Sequence, residues 1–421
     1  MSIAISSPKF PAHILKLDNG LTVIHQYIPA TPVVVLDVWV RAGARHEPDS
    51  WSGMAHFLEH TIFKGTEKLA PGMFDQIIEN LGGIANAATS HDYAHFFITS
   101  AAQQIDEMVF ALAELLLRAS IPESEFVREL DVVLEEIRQS QDCPDEVGFQ
   151  ALMENVYQCH PYGRSVMGRE AVLRELEVRE MRCFHRYHYQ PENMAVVVVG
   201  GVEEAQVIDL VGRAFENFPQ KCYACPQVEI KPEPLITEVR RQEIHLPLEQ
   251  ARLTMAWIGP GVAQIDDAYG LDLLSVLLGE GRTSRLVREL REDFGLVQEV
   301  ASDFSLQQDS SLFTISAMLE PEDILEVEAR ISDRLYELLT SEISESELVR
   351  CKRFLCNDYA FATESPGQLA GLYGYYFTIA NPEVAVTYPD KIAAFQPKEL
   401  LNLAEKYLSP NRYAATVLIP S

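Results

Sequence analysis

Two histidines and a glutamate near the front of the chain have the spacing of a metal site. In His56-Phe57-Leu58-Glu59-His60 the histidines are four residues apart, so on a helix they share one face, about one turn from each other. Imidazole nitrogens suit zinc, and a tetrahedral zinc accepts two of them from one helical turn. Glu59 is one residue from His60 and three from His56, close enough to stand beside such a metal without binding it. The order H-x-x-E-H inverts the commoner H-E-x-x-H. Zinc acidifies a bound water from a pKa of about 15.7 to roughly 7, and a neighbouring carboxylate can take the proton during attack. The same five residues would equally suit two surface histidines and a solvated glutamate, so the rest of the chain has to decide.

Two imidazoles do not complete a catalytic zinc centre; a third protein ligand plus water is usual. A helical pattern over 123–141 offers one. Its apolar positions Phe126, Val127, Leu130, Val133, Leu134 and Ile137 form a broad stripe. Glu129 and Glu136, seven apart, share a face bordering it. Glu135 is the neighbour that could be confused with Glu136, and periodicity does not choose between them.

The elements that would carry these groups alternate between strands and helices. A turn at Asp18-Asn19-Gly20 enters a strand over 21–27, a hairpin signal, and Val33–Val40 is a second strand. The metal motif falls in a helix over 54–63. A second helix, over 71–81, stops at Gly82-Gly83. Residues 84–89 and 94–100 read as paired strands, 105–118 as a helix, and 196–199 as a short buried strand. Hairpin pairs followed by runs of helices predict an α+β fold: a mostly antiparallel sheet covered by helices on one side.

That pattern occurs twice. Glu123-Ser124-Glu125-Phe126-Val127-Arg128 returns 222 positions later as Glu345-Ser346-Glu347-Leu348-Val349-Arg350. Tyr189-Gln190-Pro191-Glu192-Asn193, leading into a strand, is matched by Tyr407-Leu408-Ser409-Pro410-Asn411. Two matches at nearly one offset predict duplicated domains: 1–218 with the metal site, a proline-punctuated linker over 219–236, and a homologous domain over 237–421. The same shift moves the metal motif onto Leu278-Gly279-Glu280-Gly281-Arg282, Glu136 onto Asp358 and Glu129 onto Cys351. The second domain therefore lacks this site.

Composition narrows the function. The chain has 421 residues, 47% of them hydrophobic, and a formal net charge of −28, which argues against a nucleic-acid binder. Such acidity can attract cationic peptides or simply aid solubility. Seven scattered cysteines suggest no disulfide framework and a reducing compartment, and Cys222-Tyr223-Ala224-Cys225 reads as incidental. No leader is visible in residues 1–15, and no apolar run nears the ~20 residues of a membrane span; the expectation is a cytoplasmic protein. His91 and His95 fall in a turn and strand and read as structural, as do His185 and His188. Gly279-Glu280-Gly281 lacks the lysine of a phosphate loop.

Taken together, His56-Phe57-Leu58-Glu59-His60, Phe63-Lys64-Gly65-Thr66, Asn86-Ala87-Ala88-Thr89-Ser90, Glu129 and Glu136 resemble the inverted-motif zinc peptidases. This is the pitrilysin and insulinase type, family M16, and the similarity leans toward the mitochondrial processing peptidase β subunit and bacterial processing peptidases. It extends to His160-Pro161-Tyr162-Gly163, Ser284-Arg285-Leu286 and Leu290-Arg291-Glu292. The resemblance implies one Zn2+ per chain held by His56, His60 and Glu136, with Glu59 as general base and Glu129 steadying a ligand or water. It implies peptide substrates added as a β-strand along Ala85, Asn86 and Ala87 inside a clamshell. The family's arginine and tyrosine that help hold the substrate fall on Arg291 and Gln298, so the tyrosine is missing here. That departure suggests a dimer, preferably with a homologous metal-free subunit that keeps the arginine and tyrosine, otherwise a homodimer. The rival to a zinc endopeptidase is a non-catalytic scaffold subunit of a larger complex.

Overall fold

The computed structural model describes residues 11–421; the amino-terminal stretch read for a leader lies partly outside the described residues. The helices are α1 Met54–Ile62, α2 Met73–Asn80, α3 Ile105–Arg118, α4 Glu123–Gln141, α5 Pro144–Val156, α6 Glu170–Leu173, α7 Val178–His188, α8 Glu204–Ala214, α9 Ile265–Gly279, α10 Ile324–Thr340, α11 Glu345–Phe361, α12 Pro366–Ile379, α13 Val384–Ala394 and α14 Pro397–Tyr407. Among the described residues, no helix is long and apolar enough to cross a membrane.

The first compact unit holds residues up to Gln139, Arg164–Glu229 and Ala362–Val386. Its sheet comprises β1 His13–Lys16, β2 Thr22–Tyr27, β3 Val33–Val40, β4 Ile84–Thr89, β5 Ala94–Ala101 and β6 Met194–Gly200, in the order β1-β2-β6-β3-β5-β4. Every neighbouring pair is antiparallel except β2 with β6. The β1–β2 hairpin closes at the Asp18-Asn19-Gly20 turn, where Gly20 has φ 96°. The middle strands are β-branched runs, Val-Val-Val-Leu-Asp-Val-Trp-Val in β3 and Met-Ala-Val-Val-Val-Val-Gly in β6. Such runs suit strands buried on both faces, and both faces are covered. Val34, Leu36 and Val38 pack with α1, α3 and α7 side chains, while Val35, Trp39 and Val197 pack with Tyr373 and Phe377 of α12. The expectation of helices on one side is corrected by α12, which is remote in sequence. Asp37 interrupts the apolar run of β3 and is buried, with His95 Nδ1 at 3.1 Å from its carboxylate.

The second unit holds Ser140–Gly163, Ile230–Phe361 and Thr387–Ser421. Its sheet comprises β7 Arg240–Leu246, β8 Ala251–Pro260, β9 Val297–Leu306, β10 Ser310–Leu319 and β11 Ala414–Pro420, ordered β7-β11-β8-β10-β9. This is the first sheet without β1, down to one parallel pair, here β7 with β11. The fold is therefore α+β with one sheet plan built twice. Chain order and compact units differ at two helices: α12 belongs to the first unit and α5 to the second. The reason is burial. Tyr373 and Phe377 are covered in one apolar cluster, Leu152, Met153 and Val156 in the other, and each cluster removes aromatic or branched aliphatic area from water.

No helix or strand occurs between Ala214 and Arg240. This stretch corrects the reading of the cysteines. Cys222 is disulfide-bonded to Cys183 of α7, and Cys225 is a buried thiol. The partner lies 39 positions earlier, so local spacing gave no sign of it. The C-x-x-C pattern is incidental as a pair, since Cys222 and Cys225 are not bonded to each other, but Cys222 itself is a disulfide cysteine.

Candidate metal centre

Helix α1 is capped by Gly53 just before it, whose φ of 94° suits glycine and whose added Cβ would lie 2.6 Å from the Met167 carbonyl oxygen. Its first turn is capped from a distance. The Glu47 carboxylate accepts from the backbone N–H of Gly53 at 2.8 Å and of Ala55 at 2.6 Å, satisfying donors that a helix end leaves open. Glu47 is fully buried. Burial pushes its carboxyl up to about 7, against those two N–H donors and the charge of Arg164. Met54, Ala55, Phe57, Leu58, Thr61 and Ile62 face the core, leaving His56, Glu59 and His60 together on the other side of the helix.

Helix α4 is set against α1 by Phe126, whose ring centroid lies 4.7 Å from that of Phe57. Glu129 and Glu136 follow at one and three turns. Val127, read as part of the apolar stripe, instead faces outward. Glu136 Oε2 lies 3.6 Å from His56 Nε2 and 3.3 Å from His60 Nε2. Glu135 points away and pairs with Arg138 at 3.1 Å. Glu129 is buried between α1 and its exit, with one oxygen 3.6 Å from His60 Nδ1 and the other 3.0 Å from Lys64 Nζ.

The donor set fits a zinc ion. Ligand atoms of His56, His60 and Glu136 lie within 4.8 Å of one another, and no other such group occurs among the described residues. Nitrogen and oxygen atoms at roughly 2.0–2.2 Å from a tetrahedral zinc are about 3.3–3.6 Å apart, close to the two distances to Glu136. Burial, then the charge of His60, lowers His56 to about 4. The ring is therefore neutral and keeps a lone pair to donate. Nδ1 of His56 is buried without a hydrogen-bond partner.

Glu59 is not one of the three. Its Oε2 accepts a 2.5 Å hydrogen bond from the Thr89 hydroxyl at the end of β4. Burial raises its carboxyl above the usual range, opposed by that bond and by His60 and His95. Thr89, Lys64 and Glu47 are contributors whose roles were not read from the sequence. Thr89 and Lys64 stood inside quoted motifs. Glu47 precedes the helix by more residues than a capping box allows.

β4 is the outermost strand of its sheet. Asn86 is exposed, while Ala85 and Ala87 are half-buried. The Ala87 N–H is met by the Asn86 side-chain oxygen at 2.9 Å. Arg291 lies in the helical turn Val287–Asp293 of the second unit, with its guanidinium on Glu292 at 2.8 Å, and Gln298 is an exposed residue at the start of β9.

Comparison with known proteins gives the family. Residues 22–170 match the insulinase family model, peptidase family M16, and residues 175–355 match the M16 inactive-domain model. The zinc protease PqqE of Helicobacter pylori is 30% identical over 98% of this chain and 93% of its own length. This chain belongs to peptidase family M16. The mitochondrial-processing peptidase subunit beta of Neurospora crassa is 26% identical to this M16 chain over 93% of it and 84% of that protein. A crystal structure of a Helicobacter pylori protease superposes with a TM-score of 0.90 at 29% identity, covering 99% of this chain and all of that one.

Proposed function

We propose that the chain is a zinc-dependent endopeptidase that cuts peptides or unfolded segments. The observation that carries this reading is the convergence of His56, His60 and Glu136, with Glu59 beside them and engaged by Thr89. His56, His60 and Glu136 would hold one Zn2+, which when bound supplies Lewis acidity toward a carbonyl and lowers the pKa of water. Glu59 takes a proton from the attacking water and delivers it to the leaving amine. Its raised affinity for protons suits both steps. Thr89 fixes which oxygen of Glu59 is free. Glu129 holds the His60 ring from its Nδ1 side, as the outer partners of metal ligands do.

The substrate backbone lies along β4 as an added strand, where main-chain hydrogen bonds hold an extended peptide with little regard to sequence. The outermost position of β4 and the outward Ala87 N–H support this. Arg291 and Gln298 contribute to holding the peptide inside a clamshell. Glutamine lacks the reach of the tyrosine that the family resemblance implies at this position, so the working form is a dimer, preferably with a metal-free homologue that retains it.

Glu59→Gln tests the reaction. Zinc content should remain at one per chain while cleavage of an unstructured peptide library falls to background. A protein that binds no zinc and cuts nothing would favour the scaffold reading. Gln298→Tyr tests the partner: if the wild-type chain alone already turns over fully and the substitution adds nothing, no partner is needed.

A further inference from the structure

Away from the metal centre, the first unit contains a second polar cavity of ≈ 490 Å³. Its cationic lining comes from three elements: Lys68 after α1, Arg118 at the end of α3, and Arg182 and Arg186 one turn apart on α7. Glu67 and Glu114 supply the negative charge, and Glu114 is already engaged by the Thr66 hydroxyl at 2.8 Å and Lys68 at 3.2 Å.

Among the described residues, the three arginines line one cavity without a carboxylate on any of them, a state that Arg41, Arg240 and Arg350 share singly elsewhere. With a formal charge of −28, carboxylates are plentiful, and Arg128, Arg174, Arg213, Arg330 and Arg334 each sit on one. Arg118 instead donates to the Asn217 carbonyl and Arg182 to the Ile121 carbonyl, both at 2.8 Å. Neither has a carboxylate partner among the described residues, and the only hydrogen bond of Arg186 there beyond its helix is accepted by its backbone carbonyl, from Gln190, which leaves the guanidinium uncommitted. Arg182 and Arg186, as like charges four apart on a helix, repel each other. A guanidinium that spends one N–H on a carbonyl still presents a flat fork of donors, the geometry that binds phosphate oxygens in pairs. The volume suits a small metabolite.

We infer that this cavity binds a phosphate group, free or carried by a small metabolite, through Arg118, Arg182 and Arg186. The occupant would neutralise the α7 repulsion. It would also bridge the end of α3 to α7. The inference is independent of the proposed peptidase reaction.

The test is calorimetric titration of the zinc-loaded chain with inorganic phosphate and, separately, ribose 5-phosphate, at an ionic strength held constant with chloride. One saturable site per chain is expected. Arg186→Glu should raise the half-saturating concentration at least about tenfold for both probes, and Arg118→Gln should weaken both as well. Arg186 is exposed, and unchanged zinc content and circular dichroism would show an intact variant. Tighter binding of ribose 5-phosphate than of phosphate identifies a metabolite site, and equal binding identifies phosphate itself. Absence of saturation, or binding unchanged in both variants, overturns the inference. Chelation of zinc by the probe would be the same in variant and wild type, so it cannot imitate the expected result.

Discussion

The two units share one sheet plan, yet their histidines are distributed very unevenly. The second unit holds His160 and His245, while the first holds the other nine of the eleven. Where the first unit places α1 after β3, the second places α9 after β8. In α1 the outward side carries His56, Glu59 and His60. In α9 no histidine occurs, and Leu271, Leu273, Leu274, Leu277 and Leu278 are all buried. Its end lies so close to β9 that a Cβ on Gly279 would sit 2.2 Å from the Ser302 nitrogen. That close approach explains the Gly279-Glu280-Gly281 turn as a packing feature. On α11, Cys351 is buried where α4 has Glu129. The comparison teaches that the scaffold does not demand the metal site. The site is an expensive addition of buried polar groups to a frame that is otherwise filled with leucine.

The largest expected effect sharpens that contrast. Glu59→Gln should reduce kcat for peptide cleavage by about 10²–10⁴-fold, measured with a fluorogenic peptide at constant zinc. Next, His60→Ala or Glu136→Gln should take zinc content from one per chain toward none, whereas Asp358→Asn in the other unit should leave zinc and activity unchanged. Metal analysis of the purified variants checks both halves, and loss of zinc in Asp358→Asn would break the comparison.

Smaller effects concern stability. Cys183→Ser should lower the unfolding free energy by about 2–4 kcal/mol, the usual worth of a cross-link closing a loop of this length. Denatured, unreduced wild type should titrate five thiols of its seven cysteines, and a count of seven would remove the bond. The first unit also buries uncharged histidines. Burial, with the charges of His46 and Lys221, lowers His188 to about 3. A folded-state value below the unfolded 6.5 gives stability that is complete above pH 6.5 and lost as pH falls toward 3. His188→Phe, which keeps a ring beside Phe184, should therefore lose less stability than wild type between pH 7 and pH 5. The difference should be up to about 2 kcal/mol at pH 5, measured by denaturant unfolding at both pH values. The smallest effect is expected at β4. Asn86→Ala frees the Ala87 N–H for a substrate carbonyl and should lower KM a fewfold without altering zinc. A rise in KM would mean that Asn86 itself holds the peptide.

Much of this arrangement was legible in the residue pattern. β3, β4, α3 and α4 match the spans read from periodicity, because long amphipathic or β-branched runs between clear turn signals leave few alternatives. The duplication was legible too, and the repeated strand order agrees with it. What stayed hidden involved partners distant in sequence: α12 covering the first sheet, Cys222 reaching Cys183, and Glu47 capping α1. None has a local period or motif, so nothing in a window of residues reports it.

Glu135 and Glu136 mark the boundary between the two kinds of information. The sequence alone determined that His56 and His60 share one helix face and that Glu129 and Glu136 share another, since helical geometry fixes relative directions within an element; Glu136 rather than Glu135 came only from the family resemblance. Which carboxylate meets the imidazoles was decided in three dimensions. Phe126 against Phe57 sets the rotation of α4 on α1, turning Glu136 toward both histidines and Glu135 out to Arg138. Adjacent residues on a helix differ in direction by about 100°, and only packing against a second helix chooses between them.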